Sequence, residues 1–273
     1  MLGFTGDWMP AGGRVIRFGD RLRDFLKPAD FLVANFEGIS VRPHRAVVMQ
    51  QVHGPETLEA LTRLAPPDRI IVSVANNHAA DHGFKVFLSH LRTLEARGFL
   101  VVGDCDRPVV VPVPGVRLAA LTRWSNHPAP FLASLDRENA LACPGDFCIM
   151  YPHWGFELEL YPRMELVQQA REWLGRWDLV VGHHSHTPAP VSAIETPGGK
   201  RPVAFSLGNF MAGSWSRKNR WGMVVRIHLG RDPGGRYRLR RLDWRFTTVT
   251  RNRREFLLRL SDHCPYFPEV SGD

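Results

Sequence analysis

Six short apolar runs in this chain each give way to a residue that can ligate a metal ion. This repeated ending restricts the fold more than any other feature of the sequence. Leu179-Val180-Val181 stops at Gly182 and is followed by His183, His184, Ser185 and His186. The same construction leads from Leu2 to Asp7, from Phe31 to Glu37, from Ile70 to Asn77 and His78, from Phe147 to His153, and from Val203 to Asn209. Runs this short, bounded by turn residues, read as buried strands rather than helices. Open α/β sheets carry their chemistry at the C-terminal ends of strands. Six such endings therefore point to one site gathered from distant parts of the chain. Taken alone, the histidine run also fits a polar loop that merely carries imidazoles. Its recurrence alongside Asp7, Glu37, Asn77 and His153 favours a metal centre.

Between these runs the spacing turns helical. Phe84, Phe87, Leu88, Leu91 and Leu94 repeat at three and four, which predicts a helix from Gly83 to Arg97 closed by Gly98. Leu58, Leu61 and Leu64 predict another over 55–64, and Leu166, Ala170, Trp173 and Leu174 a third over 164–177. Arg14 to Leu26 is loosely amphipathic and reads as a helix stopped by Pro28. Residues 99–102 read as a short strand, and 107–113 with 116–122 as a hairpin around Pro114-Gly115. Ile194 to Lys200 reads as a turn region before a strand over 202–207. Residues 221–229 and 237–247 alternate as antiparallel strands joined at Gly234-Gly235, with one arginine-rich solvated face. Residues 38–54 carry Arg42, His44, Arg45 and His53 and read as a loop, either facing a substrate or simply connecting. With no repeat, low-complexity tract or linker, residues 1–273 read as one domain.

The 273 residues are enough for a substantial core, and a 44% hydrophobic content is that of a globular chain. No apolar run is long enough to span a bilayer, and no leader-like segment opens the chain, so the expectation is a cytoplasmic protein without a membrane segment. The net charge is +8, and lysine occurs only at 27, 85, 200 and 218, so arginine supplies nearly all the positive charge. Arginine pairs bidentately with carboxylates and phosphates, which suits an anionic substrate; arginine-rich codon usage gives the same composition without a function. No basic run interleaves with aromatics as a nucleic-acid module requires, so no nucleic-acid partner is expected and a nuclease reading has little to rest on. Cys105, Cys143, Cys148 and Cys264 form no CxxC pair and are expected to be free thiols, although Cys143 and Cys148 are near one another in sequence.

Several segments come in an order that carries a resemblance. They are Gly6-Asp7, Asn35-Phe36-Glu37, Ala75-Asn76-Asn77-His78-Ala79-Ala80-Asp81-His82-Gly83, His153-Trp154-Gly155, Gly182-His183-His184-Ser185-His186 and Ser206-Leu207-Gly208-Asn209-Phe210. Together they resemble the CapA family of bacterial capsule and poly-γ-glutamate biosynthesis proteins, itself similar to the calcineurin-like metallophosphoesterases. The resemblance covers roughly residues 1 to 225. It implies an α/β fold, a four-layer αββα sandwich of two mixed β-sheets flanked by helices. It also implies that Asp7 and His186 serve a first metal and that Glu37 stands where the superfamily has a bridging aspartate. Asn77, His153 and His184 would serve the second metal, and His78 would face the scissile bond. The chain departs from the pattern at Met9, where the superfamily has an imidazole, and in the extra methylene of Glu37.

The residues themselves define a chemistry. Two carboxylates, an amide and imidazoles, with no thiolate, suit one or two divalent transition-metal ions, Mn, Fe or Zn, rather than Ca or Mg. His78 is the candidate general acid, with Asp81 either orienting it or capping the helix that starts at Gly83. His183 reads as a ligand, a supporting residue or a structural one; the supporting role is the expectation. Asn35, Ser206 and Asn209 are expected to support the ligands by hydrogen bonds. Arg42, Arg45 and Arg123 follow predicted strand ends and are candidates for holding an anion. The leading function is a metal-dependent hydrolase of an anionic substrate, a phosphoester or a γ-glutamyl-type amide or ester. The alternative is a non-catalytic accessory or binding subunit of a polyglutamate-forming ligase.

Overall fold

The computed structural model describes residues 1–10, 14–40, 50–141, 143, 145–213 and 217–268. Among them two large mixed sheets carry the chain. The larger has nine strands, in the order Val15–Phe18, Glu255–Ser261, Tyr237–Arg251, Trp221–Arg231, Leu2–Met9, Phe31–Phe36, Ile70–Ser73 and Leu100–Val102, with Asn209–Ala212 also paired to Leu2–Met9. The smaller has six, in the order Val191–Thr196, Gly199–Ala204, Leu179–Val181, Phe147–His153, Val116–Thr122 and Val109–Val113. Four α-helices accompany them: α1 (Asp20–Leu26), α2 (Pro55–Leu61), α3 (Gly83–Ala96) and α4 (Met164–Leu174). None is long and apolar enough to cross a membrane.

Strand direction explains why the ligand-type residues converge. Leu2–Met9, Phe31–Phe36 and Ile70–Ser73 are parallel neighbours, so Asp7, Glu37 and Asn77 leave the larger sheet at one edge. Val116–Thr122, Phe147–His153 and Leu179–Val181 are likewise parallel, and they deliver His153 and the histidine run from the smaller sheet. An isolated bridge between His153 and His183 continues that pairing past the strand ends. The Tyr151 hydroxyl donates to the Thr5 carbonyl across the two sheets, two residues before the ends that carry His153 and Asp7.

Three apolar clusters hold these elements. Phe4, Val33 and Ile71 of the larger sheet share one cluster with Leu118, Ile149 and Val181 of the smaller. Leu32, Phe36 and Val72 belong to a second, with Leu22 and Leu26 of α1, Leu58 and Leu61 of α2, and Phe87, Leu91 and Leu94 of α3. Leu121, Met150 and Val180 belong to a third, with Ala170, Trp173 and Leu174 of α4. Neighbouring strand residues thus fall in different clusters, as the two-residue period of a strand requires. With both faces covered, the strands are continuously apolar, and each buried Leu, Ile, Val or Phe contributes about 1.5–3 kcal/mol.

The structure corrects several expectations. Arg14 to Leu26 is not one helix. Val15–Phe18 alternates exposed and buried and pairs with Glu255–Ser261, and only Asp20–Leu26 turns helical after Gly19. The region Ile194 to Lys200 is mostly strand, because Val191–Thr196 and Gly199–Ala204 pair antiparallel up to Thr196 and Gly199. Cys143 and Cys148 are joined as a disulfide, their Cα atoms 6.2 Å apart, rather than free; Cys105 and Cys264 are free. Asp81 does not cap α3, whose N-cap is His82 without a side-chain bond.

Two glycines permit close approaches of the backbone beside the strand ends. A Cβ on Gly6 would stand 1.8 Å from the Gly208 carbonyl oxygen, and one on Gly182 would stand 2.1 Å from Trp154 Nε1 and 2.3 Å from the Phe205 carbonyl oxygen. Each precedes a ligand-type residue, so the backbone contact and the position of Asp7 or His183 are set together. Gly182→Ala is expected to destabilise the fold by about 3 kcal/mol, since main chain must move to admit the methyl. Urea unfolding measures this; a loss below about 1 kcal/mol would show that the contact yields cheaply.

Candidate metal centre

Asp7 lies fully buried inside its strand, opposite Asn209 and Asn35 on the two flanking strands. Its Oδ1 accepts a hydrogen bond from Asn35 Nδ2 at 2.8 Å and lies 3.1 Å from His183 Nδ1. Its Oδ2 accepts from the His184 backbone N–H at 3.1 Å and lies 3.4 Å from His186 Nδ1. Glu37 follows the next strand and is also fully buried, 3.7 Å from His186 Nε2. The donor atoms fall into two groups, Asp7 with His153 and His183, and Glu37 with His184 and His186, each within 4.8 Å of one another. Asn77 Oδ1 lies 2.9 Å from His153 Nε2, the ring nitrogen across from the Nδ1 that approaches His183 and Asp7.

The histidine run takes an unusual backbone path. His184 and His186 have φ of 98° and 58°, a left-handed conformation that disfavours side chains bearing a Cβ. The Asp7 carboxylate holds the first through the His184 N–H, and Asn209 Nδ2 holds the second through the His186 carbonyl at 3.1 Å. The turn between them aims both imidazoles toward Glu37. Ser185 Oγ donates to Ser206 Oγ at 2.8 Å, which fixes the loop from behind.

Several donors are left without partners. Both Glu37 carboxylate oxygens, His183 Nε2 and His184 Nδ1 are buried and make no hydrogen bond. His153 Nδ1 and His183 Nδ1 face each other at 2.8 Å, where they can share at most one proton. Buried polar groups are otherwise almost always paired. Orphaned carboxylate and imidazole lone pairs turned toward common points fit bound cations, and the nitrogen-rich set without thiolate fits Mn, Fe or Zn.

The electrostatics divide the histidines. Burial, reinforced by the other imidazoles, pushes His153 well below its ordinary value, and burial with the His186 charge pushes His184 down to about 3. Both rings are therefore neutral near pH 7 and offer lone pairs. Burial also opposes charge on His186, but Glu37 and Asp7 outweigh it and raise that ring to about 10. Burial lifts Glu37 well above the usual carboxylate range. Burial likewise opposes charge on Asp7, yet hydrogen bonds with His183 and His186 hold it well below that range.

The remaining expected residues are distributed unevenly. His78 Nδ1 lies 2.7 Å from Asp81 Oδ2, which also accepts from the Gln51 N–H at 3.1 Å. Asn209 Oδ1 lies 3.1 Å from His186 Nδ1. His183, expected to support the ligands, instead falls inside the first group. Arg123 turns away, donating to Gln169 Oε1 of α4 at 2.7 Å. Arg42 and Arg45 lie outside the described residues. Three further residues belong to the site. Asn76 Nδ2 donates to Asn35 Oδ1 at 3.2 Å, Asn126 reaches Asn77 and Asp81, and the Trp124 ring lies 6.4 Å from that of His184. Trp124 and Asn126 lie on the loop 123–127 that follows the strand Val116–Thr122, and its place past a strand end marks it in the sequence as one that could face the site.

The chain is similar to known proteins in sequence and in fold. Residues 2–214 match the family described as bacterial capsule synthesis protein PGA_cap. The PGA biosynthesis protein CapA of Bacillus subtilis (strain 168) is 24% identical over 88% of this chain and 70% of its own length. The crystal structure of a hypothetical protein from Thermus thermophilus superposes with a TM-score of 0.53 at 16% identity, covering 90% of this chain and 98% of that one, which is a likeness of fold.

Cation binding here must displace the proton that His186 holds up to a pH of about 10. Apparent Mn²⁺ affinity is expected to rise with pH below that value, by up to about tenfold per unit for each proton released. Calorimetric titration in two buffers of different ionisation enthalpy counts the protons released; zero at pH 7 would contradict the raised values of both His186 and Glu37.

Proposed function

This chain belongs to the bacterial capsule synthesis protein family, and we propose that it is a hydrolase dependent on divalent transition-metal ions. Its substrate is an anion of capsule or poly-γ-glutamate biosynthesis, a phosphoester or a γ-glutamyl-type amide or ester. The observation that carries this reading is the pair of buried donor groups containing Glu37 oxygens with no hydrogen-bond partner. Asp7, His153 and His183 would hold one ion, with Asn77 Oδ1 beside His153, and Glu37, His184 and His186 the other. Bound there, such ions supply Lewis acidity and a lowered pKa for water. The two sheets, with helices sharing the clusters of their outer-facing residues, support reading the fold as the four-layer αββα sandwich of the metallophosphoesterases.

The protein's own residues supply the proton and the charge preference. Both contacts of the His78 ring fall on Nδ1, toward Asp81 and Asn126. With the Nδ1 proton donated to Asp81, Nε2 is the ring nitrogen that takes up a proton and passes it to a leaving group. Two divalent ions held by two carboxylates, Asp7 and Glu37, would carry a net positive charge that favours an anion. Trp124, held by a 2.7 Å bond from its Nε1 to the Gly155 carbonyl, shields the His184 side from water.

His78→Ala is expected to keep Mn²⁺ binding while lowering turnover about 10²–10⁴-fold, and His184→Ala to lose both. Mn²⁺-loaded protein should be assayed on a poorly activated phosphodiester and on poly-γ-glutamate, with bound metal measured in parallel. Hydrolysis of neither by the loaded wild-type protein would overturn the hydrolase reading in favour of an accessory role. Full activity of His78→Ala on the poorly activated ester would remove His78 as the acid.

A further inference from the structure

A primary amide presents oxygen on one side and N–H on the other, and only the oxygen can bind a cation. Which way Asn77 faces is therefore decisive for its place in the centre, and something must set it. The two ends of that side chain have different neighbours. Oδ1 lies 2.9 Å from His153 Nε2, and Nδ2 donates to Asn126 Oδ1 at 3.4 Å. The Asn126 backbone N–H donates to the Asn77 carbonyl at 3.0 Å, so the two residues are paired at two points.

The orientation of Asn126 is in turn set by Asp81. Asp81 Oδ2 takes the His78 and Gln51 N–H groups, and Asp81 Oδ1 lies 3.5 Å from Asn126 Nδ2. Facing a carboxylate, Asn126 must turn its NH₂ toward Asp81 and its oxygen toward Asn77. The 3.2 Å approach of Asn126 Nδ2 to His78 Nδ1 adds no bond, because the Nδ1 proton already goes to Asp81. Reversing Asn126 would set oxygen against carboxylate and NH₂ against NH₂.

We infer that Asn126 is a positioning residue that passes the donor–acceptor polarity of Asp81 to Asn77 and so turns the Asn77 carbonyl oxygen into the metal centre. This rests on the metal reading proposed above and adds a dependence of one ion on an exposed loop residue remote from the ion itself. It also joins the two parts of the site: Asp81 orients the His78 ring with one oxygen and, through Asn126, the Asn77 ligand with the other.

The test is a double-mutant cycle on the full chain, with Mn²⁺ affinity measured by calorimetry and folding by thermal melting. Asn126→Ala should weaken binding of one Mn²⁺ about tenfold or more with an unchanged melting temperature, since Asn126 is exposed. Asn77→Asp offers oxygen on both sides and needs no orienting. In that background Asn126→Ala should cost less than about twofold, within the error of independent sites. Equal losses in both backgrounds, or no loss in either, would overturn the inference. The orientation is also read without metal. The side-chain NH₂ protons of Asn77 should be protected from solvent exchange in the wild type and exposed in Asn126→Ala. A wild type that takes up no Mn²⁺ would sink the metal reading, and the NMR result would then decide the polarity of Asn77 by itself. Unprotected Asn77 NH₂ protons in the wild type would overturn it.

Discussion

The buried carboxylate of Asp7 is the interaction on which the site depends. Four groups from two separate parts of the chain converge on its two oxygens: Asn35 Nδ2, the His184 N–H, and the His183 and His186 rings. An ion this deeply buried is tolerated only when hydrogen bonds and opposite charge surround it. Asp7 belongs to the larger sheet and the histidine run to the smaller, so satisfying the carboxylate also locks the two strand-end edges together. Removing it would strand several dipoles and a charge at once.

The energetic cost of assembling the centre is visible in the backbone. His184 and His186 adopt left-handed φ, and Gly6 and Gly182 sit where a methyl would collide with main chain or an indole. Strain of this kind costs of order 1–3 kcal/mol per residue and persists only where surroundings overdetermine it. Here the surroundings are apolar clusters on both faces of each sheet, which leave the strand ends little freedom. The clusters thus do more than stabilise: they hold imidazoles and carboxylates whose lone pairs lack partners at distances they would not otherwise keep.

Charge then separates the roles of chemically identical residues. His153 and His184 are driven neutral by burial, while His186 is kept protonated by Glu37 and Asp7. His78 pairs with Asp81, a carboxylate distinct from those in the donor groups.

Strand ends were legible in the chain itself. Apolar runs ending in Asp7, Glu37, Asn77, His153 and the 183–186 histidines specify both an α/β sheet and the edge where its chemistry lies, because burial and a two-residue period act locally. The amphipathic stripe of α3 was legible for the same reason. Local pattern failed where pairing decided the outcome. Val15–Phe18 became a strand because Glu255–Ser261 offers it an edge far away in sequence, and Cys143 and Cys148 are paired rather than free. Pattern was equally silent on direction. Only the tertiary structure turned Arg123 toward α4, drew His183 in beside Asp7, and set Asn126 against Asn77 and Asp81. A residue's type determines which bonds it can make, and its sequence neighbours determine the element it joins. Which way a side chain faces depends on the atoms opposite it, and the fold brings those from elsewhere in the chain.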